Sequence, residues 1–354
     1  MALPMLSDPT RLVTGGVDTH KDTHVAVVVD HLGRHLGLES FPTNPAGYSA
    51  LLSWMSGFGP IERVGVEGTG SWGAGLARFL SARGVSVVEV ARPDRRARRL
   101  VGKSDPIDAQ AAAISALSGR ETAIPKAGDG PVESIRVLRG CRHSAVRDKT
   151  AALNQLRSLI DTAPDQLRGR YRDLTTTELI TKARRARPRP DIADPAAAVG
   201  VAVKELAQRW VTLDEQIVRL DTHLEALVTA TAPNLVAVFG VGIHTAATLL
   251  VCAGDNPHRL HSSAAFAALC AVAPIAASSG KTQRHRLNRG GNRQANSALW
   301  RVAMTRLAFE DRTKTYADRR TTEGLSKREI MRCLKRAIAR ELYPIIITDL
   351  NPQT

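Results

Sequence analysis

A chain of 354 residues has room for two or three domains, and its 49 Lys and Arg against 34 Asp and Glu leave a net charge of +15 and a pI near 10.3, which points to nucleic acid as a partner. Four scattered cysteines (Cys141, Cys252, Cys270, Cys333) with no CxxC pair exclude a disulfide framework and a zinc finger and fit a reducing cytoplasm. No apolar run is long enough for a membrane span, the opening MALPMLSDPT lacks the basic flank and apolar core of a signal peptide, and aromatics at 4% are too sparse for base stacking to be the main binding device.

In chain order, LVTGGVD at 12–18, THVAVVVD at 23–30 and RHLGLESF at 34–41 predict three strands joined by short turns, an antiparallel meander. A helix over 45–57, a strand over 62–67, a helix over about 72–83 and a strand over 85–90 follow. A meander that runs into alternating helices and strands predicts an α/β layered domain.

The acids of this region fall at element ends. Asp18 closes the first strand and Glu67 the fourth, while Asp105 and Asp108 in KSDPIDAQAAAISAL open a helix, three residues apart and so on one face. Pro106 suits the first turn of that helix. Strand-end carboxylates with a helical pair are how a ribonuclease-H-like fold gathers hard oxygen ligands for Mg²⁺, and two such ions can hold the attacking and leaving oxygens of a phosphodiester. The competing reading takes each residue as a turn former or helix cap. Asp22 and Asp30 read as turn residues. Between the fifth strand and the acidic helix, Arg92, Arg95, Arg96, Arg98, Arg99 and Lys103 put six cations in twelve residues, which suits a nucleic-acid backbone or, alternatively, a solvated face.

Residues 131–162 predict one long helix, and the Pro- and Arg-rich 181–195 predicts a loop of phosphate-binding composition. Val203, Leu206, Trp210, Leu213, Ile217, Leu220, Leu224 and Leu227 then step alternately by three and four, an apolar heptad seam. Its partner is either the 131–162 helix or another subunit. LVAVFGVGIHTAATLL at 235–250 places a Gly-Val-Gly turn between apolar helical segments, as in a helix-hairpin-helix that touches DNA phosphates through turn amides. Packed helices share the same pattern without DNA.

After a helix around 262–272 comes AASSGKT at 276–282, whose Gly280-Lys281-Thr282 imitates the end of a phosphate-binding loop. That motif needs a glycine where this chain has Ile275, and an apolar helix where it has QRHRLNRGGN. The spacing argues against a nucleotide-triphosphate loop, and the serines become the point. Ser278 and Ser279 precede Gly280 and a run of Lys281, Arg284, His285, Arg286, Arg289 and Arg293. A serine on a glycine turn ringed by cations is set to attack a phosphate, with its base supplied from elsewhere in the fold or from another chain. Serines in Gly-rich loops are also common without any such role. GLSKREIMRCLKRAIARELYPIII at 324–347 predicts a basic amphipathic helix.

GVDTHKDTH, VEGTG, KSDPIDA, GVGIHTAATLL and AVAPIAASSGKTQRHRLNRGGN together resemble DEDD-type insertion-sequence transposases, of the kind called bridge-RNA-guided recombinases. The resemblance runs from about 13 to 345. It implies an α/β, RuvC-like nuclease domain over 1–125, a helical coiled-coil segment over 126–230 and a mainly helical transposase domain over 231–354. It also implies Asp18, Glu67, Asp105 and Asp108 as the Mg²⁺ (or Mn²⁺) ligands, and Ser279, five residues after Pro274, as the nucleophile, with Ser278 its neighbour. Ile275 departs from the basic residue that family members often carry directly after that proline. Further implied are donor and target DNA, a structured guide RNA, homodimers assembled into tetramers in which the acids of one subunit meet the serine of another, and a cytoplasmic, nucleoid-associated location. A metal-only nuclease or junction resolvase, in which water attacks, is the alternative enzyme. A non-catalytic nucleic-acid-binding relic is the alternative of a different class.

Overall fold

The computed structural model describes residues 12–90, 104–280 and 285–351. The chain forms two compact units. One runs to Gly130 and takes in Gly254–His261; the other holds Pro131–Ala253 and the chain from Ser262. The expected order, an α/β part followed by a helical remainder, is present. Among the described residues no helix is long and apolar enough to cross a membrane.

In the first unit, β1 (Val13–Thr19), β2 (Thr23–Val29), β3 (His35–Pro42), β4 (Ile61–Glu67) and β5 (Val87–Val90) make one mixed sheet in the order β3-β2-β1-β4-β5. β1–β2 and β2–β3 pair antiparallel as short turns require, and β1–β4 and β4–β5 pair parallel across helical crossovers. Asp30 is the turn residue its position predicts: its carboxylate accepts from the Leu32 and Arg34 amides, both at 2.9 Å, and from Arg34 Nε at 2.7 Å. α1 (Pro45–Ser56), capped by the Asn44 side chain, and α2 (Ala74–Ser81) cover one face, burying Leu51, Met55, Leu76 and Leu80 against Val17, Val28, Val64 and Val66.

The other face takes α3 (Asp105–Leu117), and the fit is unusually close. A Cβ at Gly16 would lie 2.2 Å from the Ala113 nitrogen, and one at Gly65 would lie 2.5 Å from the Ala112 oxygen. Only a strand without side chains there, meeting a helix stripe of Ala109, Ala112, Ala113 and Ala116, lets backbone rest on backbone.

In the second unit, α4 (Pro131–Asp161) and α7 (Pro195–Thr231) form an antiparallel pair. Arg142 pairs with Asp221 and Lys149 with Asp214, seven residues on along one helix and seven back along the other. Lys149 Nζ also sits 4.1 Å over the Trp210 ring. Leu156 and Ile160 share a core with Val203 and Ala207, so the heptad seam closes within the chain. α5 (Asp165–Tyr171) precedes the predicted loop, and the end of α6 (Thr176–Arg184) runs into it. Residues 181–184 are the last turn of α6, nucleated by a capping box between Thr175 and Glu178 and anchored by buried Leu179, Ile180 and Ala183. α8 (Pro233–Ala237), α9 (Ile243–Ala253), α10 (Ser263–Leu269), α11 (Arg293–Phe309), α12 (Asp311–Thr322) and α13 (Lys327–Leu350) complete the unit, with the short hairpin of β6 (Ile275–Ala276) and β7 (His285–Arg286) between α10 and α11.

Gly16→Val should lower stability by about 1–3 kcal/mol or more in thermal unfolding, because an inserted side chain meets helix backbone that cannot swing aside. Gly70→Ala, where an added Cβ meets nothing within 4 Å, should change it little. Equal melting of the two variants would refute the packing account.

Candidate functional site

Period-two alternation selects which residues face α3. On β1 the α3 face carries Gly16 and Asp18; on β4 it carries Gly65 and Glu67. β1 and β4 are parallel neighbours with Val17 opposite Val66, so Asp18 and Glu67 leave the sheet at the same edge, the carboxyl ends of the strands. The helix stripe Ala109, Ala112, Ala113, Ala116 extends one step back to Asp108, and Asp105 lies one turn before it. Three elements thus bring their acids to one place.

Asp18, His20 and Asp105 approach most closely: one ligand atom from each lies within 4.8 Å of the other two. His20 Nε2 stands 3.2 Å from Asp18 Oδ2 and 3.3 Å from Asp105 Oδ1. It meets neither in hydrogen-bonding geometry, and the atom is buried. Asp18 and Asp108 are buried, while Asp105 and Glu67 are half-buried. Glu67 and Asp108 lie outside the closest group. Thr19 Oγ1 donates to the Glu67 carbonyl at 2.8 Å and ties the ends of β1 and β4 together.

Burial raises the Asp18 carboxyl above its ordinary range; His20 opposes this, and the Asp108 and Asp105 carboxylates add to it. Crowded carboxylates with an imidazole nitrogen between two of them are a donor set short of positive charge, and they fit a divalent cation. Oxygen donors alone suit Mg²⁺; with His20 included the set also suits Mn²⁺. Beneath the site, His24 is fully buried and stacked on Tyr48 at 5.7 Å, and burial, followed by the charge of His20, lowers it to about 4.

Sequence reasoning did not single out His20 or Trp72. His20 follows Asp18 by two residues at a strand end, so the period of two was its signal. Trp72, 54% exposed, places its ring 6.3 Å from that of His20; nothing local in the sequence marked it.

The serine region belongs to the second unit. Ile275 faces Arg286 and Ala276 faces His285, so AASSG leads off a two-stranded hairpin rather than a plain loop. Ser278 and Ser279 are exposed, and Gly280 adopts φ +54, the left-handed conformation that favours glycine. Arg286, Arg289 and Arg293 are exposed around it. Arg92, Arg95, Arg96, Arg98, Arg99, Lys103, Lys281 and Arg284 lie outside the described residues. The GVG turn joins α8 to α9 with Gly240 at φ +85. It is braced by buried Arg306, which donates to the Phe239 carbonyl at 3.2 Å while forking onto Glu341 at 2.7 and 2.8 Å.

A mixed sheet with an acidic, cation-ready edge, followed by a basic helical unit, defines an α/β protein with a divalent-metal type of centre. Comparison with known proteins gives this class a family. Residues 15–163 match a DEDD, IS110-type model described as a transposase, and residues 232–318 match one described as the transposase IS116/IS110/IS902 family. Over 149 residues, 41% of this chain, the sequence is 30% identical to the insertion element IS110 uncharacterized 43.6 kDa protein of Streptomyces coelicolor. That match spans 36% of the relative's length. The two models between them take in more than half of the chain, which belongs to the IS110 family of DEDD transposases.

The two perturbed groups give stability effects of opposite sign. Asp18, raised in the fold, contributes stability below its ordinary 3.8 that is lost as pH rises through the folded value. In metal-free buffer at neutral pH, Asp18→Asn should therefore melt above the wild type, and the gap should close as pH falls toward 3.8. Added Mn²⁺ should raise the wild-type Tm and leave Asp18→Asn unmoved. His24, lowered in the fold, contributes stability above 6.5 that is lost as pH falls toward about 4, and His24→Phe should flatten that limb. Melting curves across pH read both; a metal-free Asp18→Asn protein less stable than wild type at pH 7 would contradict the first.

Proposed function

We propose that the protein is a transposase that cuts and rejoins DNA strands, with a RuvC-like, RNase H-like first unit whose acids hold divalent metal and with Ser279 as the nucleophile. The observation that carries the reading is the meeting of Asp18, His20 and Asp105 at one sheet edge, with Asp108 and Glu67 on the same face, in a chain of this family. The strand order β3-β2-β1-β4-β5, with two antiparallel pairings followed by two parallel ones, supports the RNase H-like assignment. The four acids serve as ligands, and His20 orients Asp18 and Asp105. Mg²⁺ or Mn²⁺ bound there supplies positive charge to the phosphate and leaving oxygens.

Ser279 Oγ forms a bond to phosphorus as the ester bond to the leaving deoxyribose oxygen breaks. The Oγ proton passes to the acidic cluster, and the leaving oxygen takes up a proton. Attack by a hydroxyl of the exchanging strand then breaks the Oγ–P bond, so one phosphodiester replaces another without an outside energy source. The acids of one subunit serve the serine of another, in a dimer that assembles to a tetramer on DNA. Arg286, cross-strand from Ile275, stands in for the basic residue that the family often carries after the proline. Lys281, Arg284, Arg289 and Arg293, with the stretches at 92–103 and 181–189 and the Gly240 turn, hold phosphates of DNA and of a structured guide RNA without reading bases.

Asp18→Ala, Asp108→Ala and Ser279→Ala should each reduce strand transfer between element-end DNAs by about 10³-fold or more, with RNA binding retained. A denatured reaction with labelled DNA and Mg²⁺ should leave label on a peptide containing Ser279. Cleavage that survives in Ser279→Ala makes water the nucleophile and the protein a metal-dependent nuclease. DNA left unchanged by every preparation that binds it makes the chain a binding protein.

A further inference from the structure

Beside the serine hairpin the second unit has a cavity of about 640 Å³. It opens between the chain after α10, strand β7, and helices α12 and α13. One wall is cationic: Arg286, Arg320, Arg332, Lys335, Arg336 and Arg340 line it against a single acid, Glu329. Glu329 is already engaged, accepting from the Ser326 amide at 2.9 Å and from its hydroxyl at 2.7 Å. The lining also has an apolar part, formed by Ala271–Pro274, Leu287 and Leu325.

The cavity is a built one. Lys335 is buried, and its Nζ donates to Asn296 Oδ1 at 2.8 Å; Asn296 Nδ2 in turn donates to the Ala271 carbonyl at 2.8 Å. Ala271 holds a left-handed backbone, φ +56, which is costly for a residue with a Cβ. Arg332 Nη1 donates to the His285 carbonyl at 3.2 Å and fastens α13 to the hairpin. Two guanidinium nitrogens, Arg336 Nη1 and Arg320 Nε, are buried without a hydrogen-bond partner. A buried charged donor left without an acceptor is expensive, and native structures supply the acceptor from ordered water, an ion or a ligand when the chain does not.

We propose that this cavity receives one unpaired nucleotide of the DNA strand presented to Ser279, its phosphate on Arg320 Nε and Arg336 Nη1 and its base against the apolar residues of the lining. The inference rests on the DNA-strand reading of the serine hairpin. The mixed lining decides the ligand class: a bare anion would leave the apolar residues without use, and an apolar ligand would leave Arg336 Nη1 and Arg320 Nε without an acceptor, the Arg320 Nη1 being already paired with Glu323. Reach agrees as well. Ala276, paired next to the cavity, precedes Ser279 by three residues, at most roughly 10 Å of extended chain, so the held nucleotide lies next to the attacked phosphate or one beyond it. Extruding a nucleotide costs a few kcal/mol in a duplex and little in an unpaired strand, so the cavity favours opened DNA at the exchange point.

The test is binding of a short fluorescein-labelled single-stranded oligothymidylate to the full-length protein, read by anisotropy at fixed ionic strength, with duplex of the same length in parallel. Arg336→Gln should weaken single-strand binding about tenfold and leave duplex binding within a factor of two. Ala337→Trp, which fills the cavity from an exposed position, should act likewise and keeps the test alive if the first variant does not fold. A thymidine dinucleotide should displace the oligomer well below the concentration of inorganic phosphate that does so. Equal displacement by phosphate, with no effect of Ala337→Trp, would make the site a plain anion pocket and overturn the proposal. Unchanged single-strand binding in both variants would also overturn it. Failure of the serine reading is distinguishable: cleavage that persists in Ser279→Ala leaves these binding results standing.

Discussion

The acidic edge depends on one contact, the rest of α3 on the bare backbone of β1 and β4. Helix and sheet ordinarily stand apart by the thickness of their side chains. Here Gly16 and Gly65 remove the side chain on the strand and a run of alanines minimises it on the helix, so the backbones meet. A carboxylate is short. Asp105 and Asp108 reach Asp18 because the helix that carries them has been lowered onto the sheet, and a helix held off by valine would leave the acids of the two layers too far apart to share an ion. The glycines two residues before Asp18 and two before Glu67 belong to the site as much as the acids do, since the alternation that aims each acid at α3 aims its glycine there also.

That closeness has an electrostatic consequence. Burial, and after it the carboxylates of Asp108 and Asp105, raise the free energy of ionised Asp18 against the opposing pull of His20, which is the sense of its upward shift. The first unit therefore carries crowded negative charge at this edge. The second carries the opposite case: a cavity with six cations, one engaged acid and two buried guanidinium nitrogens without acceptors. Neither arrangement maximises stability, and both are what a chain keeps when its complement arrives from outside.

Much of this was legible in the sequence, and the reasons differ by element. The five strands stood out because β1, β2 and β4 are apolar runs closed by turn residues, and the four acids because each ends or begins an element. His20 was hidden by its neighbours: in DTHKDTH, a string of polar turn formers, one histidine at strand spacing from Asp18 looks like the next, and only the partner helix distinguishes it from His24, which pairs into the sheet and is buried. The β6–β7 hairpin was hidden because two residue pairs leave no periodicity to detect. The α6 turn at 181–184 was masked by its arginines; composition argued for a loop, while Leu179, Ile180 and Ala183 buried one face and made it a helix. The seam of α7 was visible as a repeat, but a repeat does not name its partner. The register of Arg142 with Asp221 and Lys149 with Asp214 does.

A two-pair hairpin has almost no stability of its own. The one that carries Ser279 must take its position from what it leans on, and the described contacts say what that is. Arg332 on α13 holds the β7 carbonyl at His285, and Lys335, one helical turn along, holds Asn296, which fixes the turn at Ala271 before β6. Both strands of the hairpin are thus steadied from a single helix, through residues that also line the cavity. The serine's placement and the cavity's shape are therefore not independent properties of the second unit: a substitution that tilts α13 moves both. The same helix begins at a capping box and buries Ile330, Leu334, Ile338, Leu342 and Ile346 along one face, a full hydrophobic stripe spent on orienting a two-residue strand. The stiffness of the Ser279 segment is borrowed from that stripe, because the hairpin is too short to supply it.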